Sequence, residues 1–169
     1  GSTDDTPAVL SRYTDRIRVI RQANRGLAQG RNAGLAVARG TYVSFLDADD
    51  VVTPTKLAEQ VALLEAAPTV GWTYCDVLIE TVATSHEMRA SERFGYGGRT
   101  LDGWLFSELI HGNFIPAIAP LIRRTALDSA GGFDDRLTAL EDWDLWLRLS
   151  LVAEARYSPA VLVRYRVHP

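Results

Sequence analysis

Thr41-Tyr-Val-Ser-Phe-Leu46-Asp47-Ala-Asp49-Asp50 decides how the rest of the chain is read. Its apolar, β-branched and aromatic start predicts a buried strand, and the strand ends in three carboxylates separated by one small residue. Residues two apart on an extended chain face the same way, so Asp47 and Asp49 converge just beyond the strand. Two unpaired carboxylates there would repel. A divalent cation with hard oxygen preferences, Mn2+ or Mg2+, removes that cost and keeps its other positions for water and phosphate oxygens. In open α/β sheets ligands bind at that edge, so one reading is a metal–diphosphate site. The other is an acidic turn that caps the next helix. A calcium loop does not fit, because Val51, Val52 and Ala58 stand where it needs an acid, a glycine and a glutamate.

Upstream, Leu27 to Arg39 carries Ala, Leu and Val at helical spacing, with Gly40 placed as its C-terminal cap. Before it, Arg16 to Arg21 alternates polar and apolar residues like a strand with one wet face at a sheet edge. Thr6-Pro7 opens a short amphipathic helix through Ala8, Val9, Leu10 and Tyr13. The small residues of Gly26 to Gly34 permit close backbone or ligand approach, and Arg31 could reach a base or phosphate. They could equally let a helix pack tightly on a sheet. Downstream, Thr53 and Pro54 start a helix whose apolar stripe is Leu57, Val61 and Leu64. Val70 to Ile79 is the next strand. Alternating strands and helices predict a doubly wound, mainly parallel sheet with right-handed crossovers.

From Glu80 to Gly103 periodicity fades, which predicts a long loop or lid suited to an acceptor. A short helix over Trp104 to Ile110, a turn at His111 to Asn113, and a strand over Pro116 to Arg123 follow. Gly131 to Asp135 is a turn, and Glu141-Asp142-Trp-Asp144 opens an apolar helix. Asp142 is either a cap favoured by the helix dipole or a carboxylate aimed at a reaction centre as general base. Val161 to His168 alternates like a closing strand, and His168 is either a solvated residue or a metal ligand. Trp72, Trp104, Trp143 and Trp146 could stack on sugars or pack in the core.

The 169 residues, 47% of them hydrophobic and 23% charged, suffice for one sizeable core. A net charge of −3 with interspersed signs argues against a nucleic-acid binder. No apolar run approaches the roughly 18 residues of a membrane span, although peripheral attachment at the inner face of a membrane stays open. A lone cysteine, Cys75, predicts a buried, inert thiol in a reducing, cytoplasmic setting.

Together, Leu46-Asp47-Ala-Asp49-Asp50, the preceding Asn24-Arg-Gly26 to Leu35, the following Gly131-Gly-Phe133-Asp134, and Glu141-Asp142-Trp-Asp144-Leu resemble the family 2 glycosyltransferases. The resemblance covers nearly the whole chain as one domain, residues 1–169. It implies an α/β fold, the three-layer αβα sandwich with a mainly parallel mixed sheet known as GT-A. It also implies an inverting transfer from a nucleotide-diphospho-sugar (UDP-, GDP- or dTDP-sugar) to a saccharide or lipid-linked acceptor. Asp47 and Asp49 match the D-x-D motif, Asp49 as direct metal ligand and Asp47 nearer the donor's ribose or sugar. Arg31, with Asn32 beside it, matches the nucleotide side. Asp142 matches the catalytic base and Glu141 its neighbour, while His168 resembles a C-terminal histidine that approaches metal or diphosphate.

Two departures qualify the match. The Gln-x-x-Arg-Trp of processive synthases is missing after Asp142, which implies transfer of a single sugar. The chain opens at Ser2-Thr-Asp-Asp-Thr6, like the tail of the family's second strand motif, so the first two strands are expected to be absent. Such a fragment would expose sheet edges for self-association. The rival functions are a nucleotidyltransferase on a related scaffold and a non-catalytic, transferase-like binding module.

Overall fold

The computed structural model of the chain describes residues 1–96 and 101–168. In chain order the elements are α1 (Thr6–Leu10), a 3-10 turn (Ser11–Tyr13), α2 (Leu27–Val37), β1 (Tyr42–Val43), β2 (Val51–Val52), α3 (Lys56–Ala66) and β3 (Val70–Thr81). They continue with β4 (His86–Arg89), α4 (Ala90–Arg93), α5 (Phe106–Leu109), β5 (Pro120–Arg123), α6 (Arg124–Ala130), α7 (Glu141–Leu149) and β6 (Glu154–Val167). The strands lie in the order β1-β5-β3-β6-β2, with β4 folded back on β3. The sheet is mixed. Its longest ladder, β3 with β6, is parallel, and the four shorter ones are antiparallel.

β3 is central because its residues from Val70 to Val77 are buried without a break, which an apolar run tolerates when both faces are covered. On one face Trp72 stacks on Trp146 of α7 with ring centroids 6.0 Å apart. On the other, Leu121 and Val70 meet Leu64 of α3. Helices on both faces make the three layers. β6 accommodates Pro159 where its register with β3 jumps between Ser158 and Val161, a bulge that needs no N–H from proline.

At Gly71 a Cβ would meet the Ala153 Cβ at 2.4 Å and that of Ala126 at 3.1 Å. Gly71→Ala is therefore expected to cost about 1–3 kcal/mol by overpacking. Urea unfolding checks this: the midpoint should fall, and an unchanged midpoint would mean that the segments carrying Ala153 and Ala126 give way freely.

Several expectations are corrected. Arg16 to Arg21 forms no strand; Ile17 and Ile20 stay exposed, and the segment finds no ladder partner among the described residues. Only two residues of the stretch from Thr41 to Leu46 pair as a strand, because β5 offers a matching edge at Arg123 and Ile122 alone. Helix α2 ends at Val37 with Ala38 as its cap, not Gly40, since Ala38 already adopts an extended backbone. Helix α3 starts after Thr55, two residues beyond the expected Thr53 cap.

Its buried face is also turned. Lys56, Gln60 and Leu64 point inward while Leu57 is 55% exposed. The cause is polar: Lys56 Nζ donates to Ser44 Oγ at 2.9 Å and Gln60 Nε2 to the Ala119 carbonyl at 2.9 Å. The Ala119 carbonyl lies just before β5 and needs a donor from outside the ladder. Burial pushes the Lys56 ammonium down to about 8.

The expected loop from Glu80 to Gly103 is largely folded. β4 returns on β3, and Asp76, buried in β3, accepts hydrogen bonds from the Ser91 N–H at 3.1 Å and hydroxyl at 2.7 Å, which pins α4. Gly97 and Gly98 lie outside the described residues. Cys75 is buried as expected, and burial pushes its thiol up to about 12.

Candidate active site

The candidate site forms where α2, the turn after β1, the start of α7 and the end of β6 meet. Arg31 on α2 is its hub. Its Nη2 donates to both oxygens of Asp47 at 2.9 and 3.0 Å, and its Nη1 to Glu141 Oε1 at 2.6 Å. The Arg31 and Glu141 side chains are each only 9% exposed. The planar guanidinium suits this double grip, and its face lies 5.4 Å from the Phe133 ring centroid. Asp47 is thus not an unpaired carboxylate, as its place beside Asp49 suggests; its charge is met by Arg31.

The glycine pair braces α2 beside Arg31. Gly131 and Gly132 both have left-handed backbones, with φ +87° and +70°, which glycine adopts without strain. They turn the chain so that Phe133 presents its backbone to Asn32. The Asn32 amide donates to the Phe133 carbonyl at 2.8 Å and accepts from its N–H at 3.1 Å. Asn32 therefore sits next to Arg31 with its amide engaged in holding the Gly131–Phe133 turn.

Helix α7 begins at a strained Leu140, φ +60°, followed by Glu141 and Asp142 in the first turn, where the helix dipole favours acids. Asp142 Oδ1 accepts from the Trp143 N–H at 2.7 Å and Oδ2 from the Asn113 amide at 3.2 Å. It is both cap and wall, since it lines a cleft of about 280 Å³ with Arg31, Asp47, Asn113, Glu141 and Tyr165. Burial raises its carboxyl above the ordinary range, and Glu141 adds to that, while the Trp143 N–H, Asn113 and Arg31 oppose it. A carboxylate of raised basicity in a cleft is the property of a general base.

Asp49 and His168 stand apart from that lining. Their Oδ2 and Nε2 are 3.3 Å from each other, and both side chains are about half exposed. Asp50 turns inward instead, its Oδ1 accepting from the Arg166 N–H at 3.0 Å and its buried Oδ2 left without a donor. Among the described residues no three His, Cys, Asp or Glu side chains form a ready metal cage. The donor set nevertheless fits a hard cation that takes one or two protein ligands and completes its shell with phosphate oxygens.

Tyr165 escaped the sequence reading. Burial raises its phenol, and so do the nearby charges of Asp50, Asp47, Asp142 and Asp49, so it stands among all four acids. It lies on β6, and nothing in the sequence alone marked it. Of the four tryptophans, Trp72 and Trp146 are wholly buried core and Trp104 is exposed, remote from the cleft. A second hollow, about 650 Å³, runs between α2 and residues 43–48 and shares Arg31 and Asp47 with the first.

Among the described residues no helix is long and apolar enough to cross a membrane.

Known proteins resemble this chain over most of its length. The family profile described as Glycosyl transferase family 2 matches residues 1–124. The succinoglycan biosynthesis protein ExoU of Rhizobium meliloti is 31% identical over 174 residues, which cover 93% of this chain and 48% of ExoU. An uncharacterized glycosyltransferase of Rickettsia prowazekii is 28% identical over 171 residues, covering 99% of this chain and 52% of that protein. The chain thus spans about half the length of these two relatives.

Among solved structures, Staphylococcus aureus TarS 1-349 in complex with UDP-GlcNAc has a TM-score of 0.71 at 17% identity, over 99% of this chain and 48% of that one. The mannosyltransferase PcManGT from Pyrobaculum calidifontis, in complex with GDP-Man and Mn2+, has a TM-score of 0.70 at 22% identity, over 97% and 45%. The fold is that of the GT-A glycosyltransferases, an α/β fold with a mixed sheet.

Proposed function

The chain belongs to glycosyl transferase family 2, and on that premise we propose that it catalyses inverting, metal-dependent transfer of a single sugar from a nucleotide-diphospho-sugar to an acceptor hydroxyl. One observation carries this reading: Asp142, of raised basicity, opens onto the same cleft as Asp47, while Arg31 and Glu141 brace the two sides against each other. Asp142 takes the proton of the acceptor hydroxyl as that oxygen attacks the anomeric carbon from the face opposite the diphosphate. Asp47, fixed by Arg31, receives the donor's ribose or sugar hydroxyls. Held by Asp49 with His168, Mn2+ or Mg2+ would supply charge neutralisation for the departing diphosphate. The Mn2+ and GDP-Man in the Pyrobaculum complex support this choice of cation and donor class. The hollow along α2 supports a place for the nucleotide, since Arg31 and Asp47 form its end. The reaction belongs in the cytoplasm or at the membrane's inner face, with a saccharide or lipid-linked acceptor.

Calorimetric titration of UDP, GDP and dTDP with and without Mn2+ tests the donor site. One nucleotide should bind in a Mn2+-dependent manner, and Asp49→Asn should lose that dependence. Equal affinity with and without the cation would overturn the metal assignment.

A further inference from the structure

Asn113 lies on the turn after α5 and was not among the residues expected at the site. Its amide is oriented unambiguously. Oδ1 accepts from the Ile115 N–H at 3.2 Å, so the donor nitrogen must face Asp142, whose Oδ2 lies 3.2 Å away. The turn itself is staked on both sides by the helix that carries Asp142. Trp143 Nε1 of α7 donates to the Leu109 carbonyl at 2.7 Å, and Trp146 Nε1 donates to the Ile115 carbonyl at 3.0 Å. Two indoles thus fix the backbone around Asn113, and Asn113 returns to the first turn of the same helix. Asn113 also forms the partition between the Asp142 cleft and a neighbouring hollow of about 270 Å³ lined by Phe94, Tyr96, Glu108 and His111.

We propose that Asn113 is a positioning residue for the base: its amide holds Asp142 Oδ2 toward the cleft and favours the ionised carboxylate. This rests on Asp142 being the base. A carboxylate on a helix start has rotamer freedom, and a base must meet its proton within hydrogen-bond reach, so a fixed donor on one oxygen leaves the remaining lone pairs correctly aimed. The charged and titratable groups facing Asp142 are Glu141 beside it on α7, Arg31 from α2, Asp47 from the turn after β1 and Tyr165 from β6. Glu108 and His111 lie beyond Asn113. Burial and Glu141 oppose ionisation, so the Trp143 N–H, the Asn113 amide and Arg31 are what sustain it.

The test follows hydrolysis of the nucleotide sugar whose nucleotide binds in the titration, UDP-GlcNAc or GDP-mannose first, by the full-length protein across pH. Water takes the acceptor's place. In the parent the rate falls as pH drops through the raised carboxyl range. Removing the amide destabilises the carboxylate, so in Asn113→Ala the acid limb should move up by roughly one pH unit and the plateau rate fall about tenfold. Asn113→Asp keeps an oxygen for the Ile115 N–H but sets a second carboxylate against Asp142. Its limb should move further, with donor binding unchanged and the melting temperature recovering as pH falls and one carboxyl of the pair is protonated. An acid limb that stays in place in both variants, with rate falling only in step with folded protein, would overturn the proposal. Full hydrolysis by Asp142→Asn would instead show that the base itself is misassigned.

Discussion

Asp142→Asn is expected to abolish sugar transfer while leaving donor binding nearly intact. The substitution is isosteric and keeps an oxygen for the Trp143 N–H, so the start of α7 should survive. What disappears is the proton acceptor. A positioned base contributes about 10²- to 10⁴-fold, and a loss of that order should appear in nucleoside diphosphate release at saturating acceptor. Donor affinity should hold, because Asp142 makes no hydrogen bond to Arg31 or Asp47. Calorimetry beside the rate assay separates the two effects. Transfer at close to the parent rate would remove Asp142 from the mechanism.

Arg31→Ala should be the most damaging substitution for stability. It strands Glu141, whose side chain is 9% exposed, and frees Asp47 within three residues of Asp49 and Asp50. Removing one partner of a buried pair typically costs ~3–5 kcal/mol, because an uncompensated charge stays behind. For a chain of this length that corresponds to a fall in melting temperature of about 10 °C. Arg31→Lys should be only a partial remedy, since one ammonium cannot grip Asp47 with two bonds and still reach Glu141. If the cost is the stranded charge, Arg31→Met combined with Glu141→Gln should melt well above Arg31→Ala. An Arg31→Ala protein as stable as the parent would show that the ion pair is energetically idle.

Much of this was legible in the residues. The largely apolar stretch from Val70 to Ile79 marked a strand, broken only by Thr73 and Asp76; that it is central follows from its burial on both faces. Acids ahead of an apolar periodic run marked the start of α7, and four short motifs in order carried the family. The failures share a cause, which is that tertiary partners decided them. Leu57 loses the inward position to Lys56 because open carbonyls at Ala119 and Pro120 sit under α3, a fact no helical period contains. Arg16 to Arg21 has the alternation of a strand but no edge to join. Asp47 was read beside Asp49, its neighbour in sequence, whereas its partner Arg31 comes from a helix 16 residues earlier. Asn113 and Tyr165 gave no signal, being single polar residues whose meaning is purely spatial.

The position of β6 carries a consequence for biosynthesis. The sixth strand in chain order, β6, is inserted between β3 and β2, in the interior of the sheet. A ribosome delivering this chain from its N-terminus therefore releases β3 with one long edge open, and that edge closes only when residues 154–167 have emerged. The bond between Arg31 and Glu141, 110 residues apart, likewise waits for a segment far down the chain. Late closure of distant segments slows folding and lengthens exposure of an apolar strand. The nascent chain is consequently most exposed to misassembly in the interval before residues 154–167 emerge.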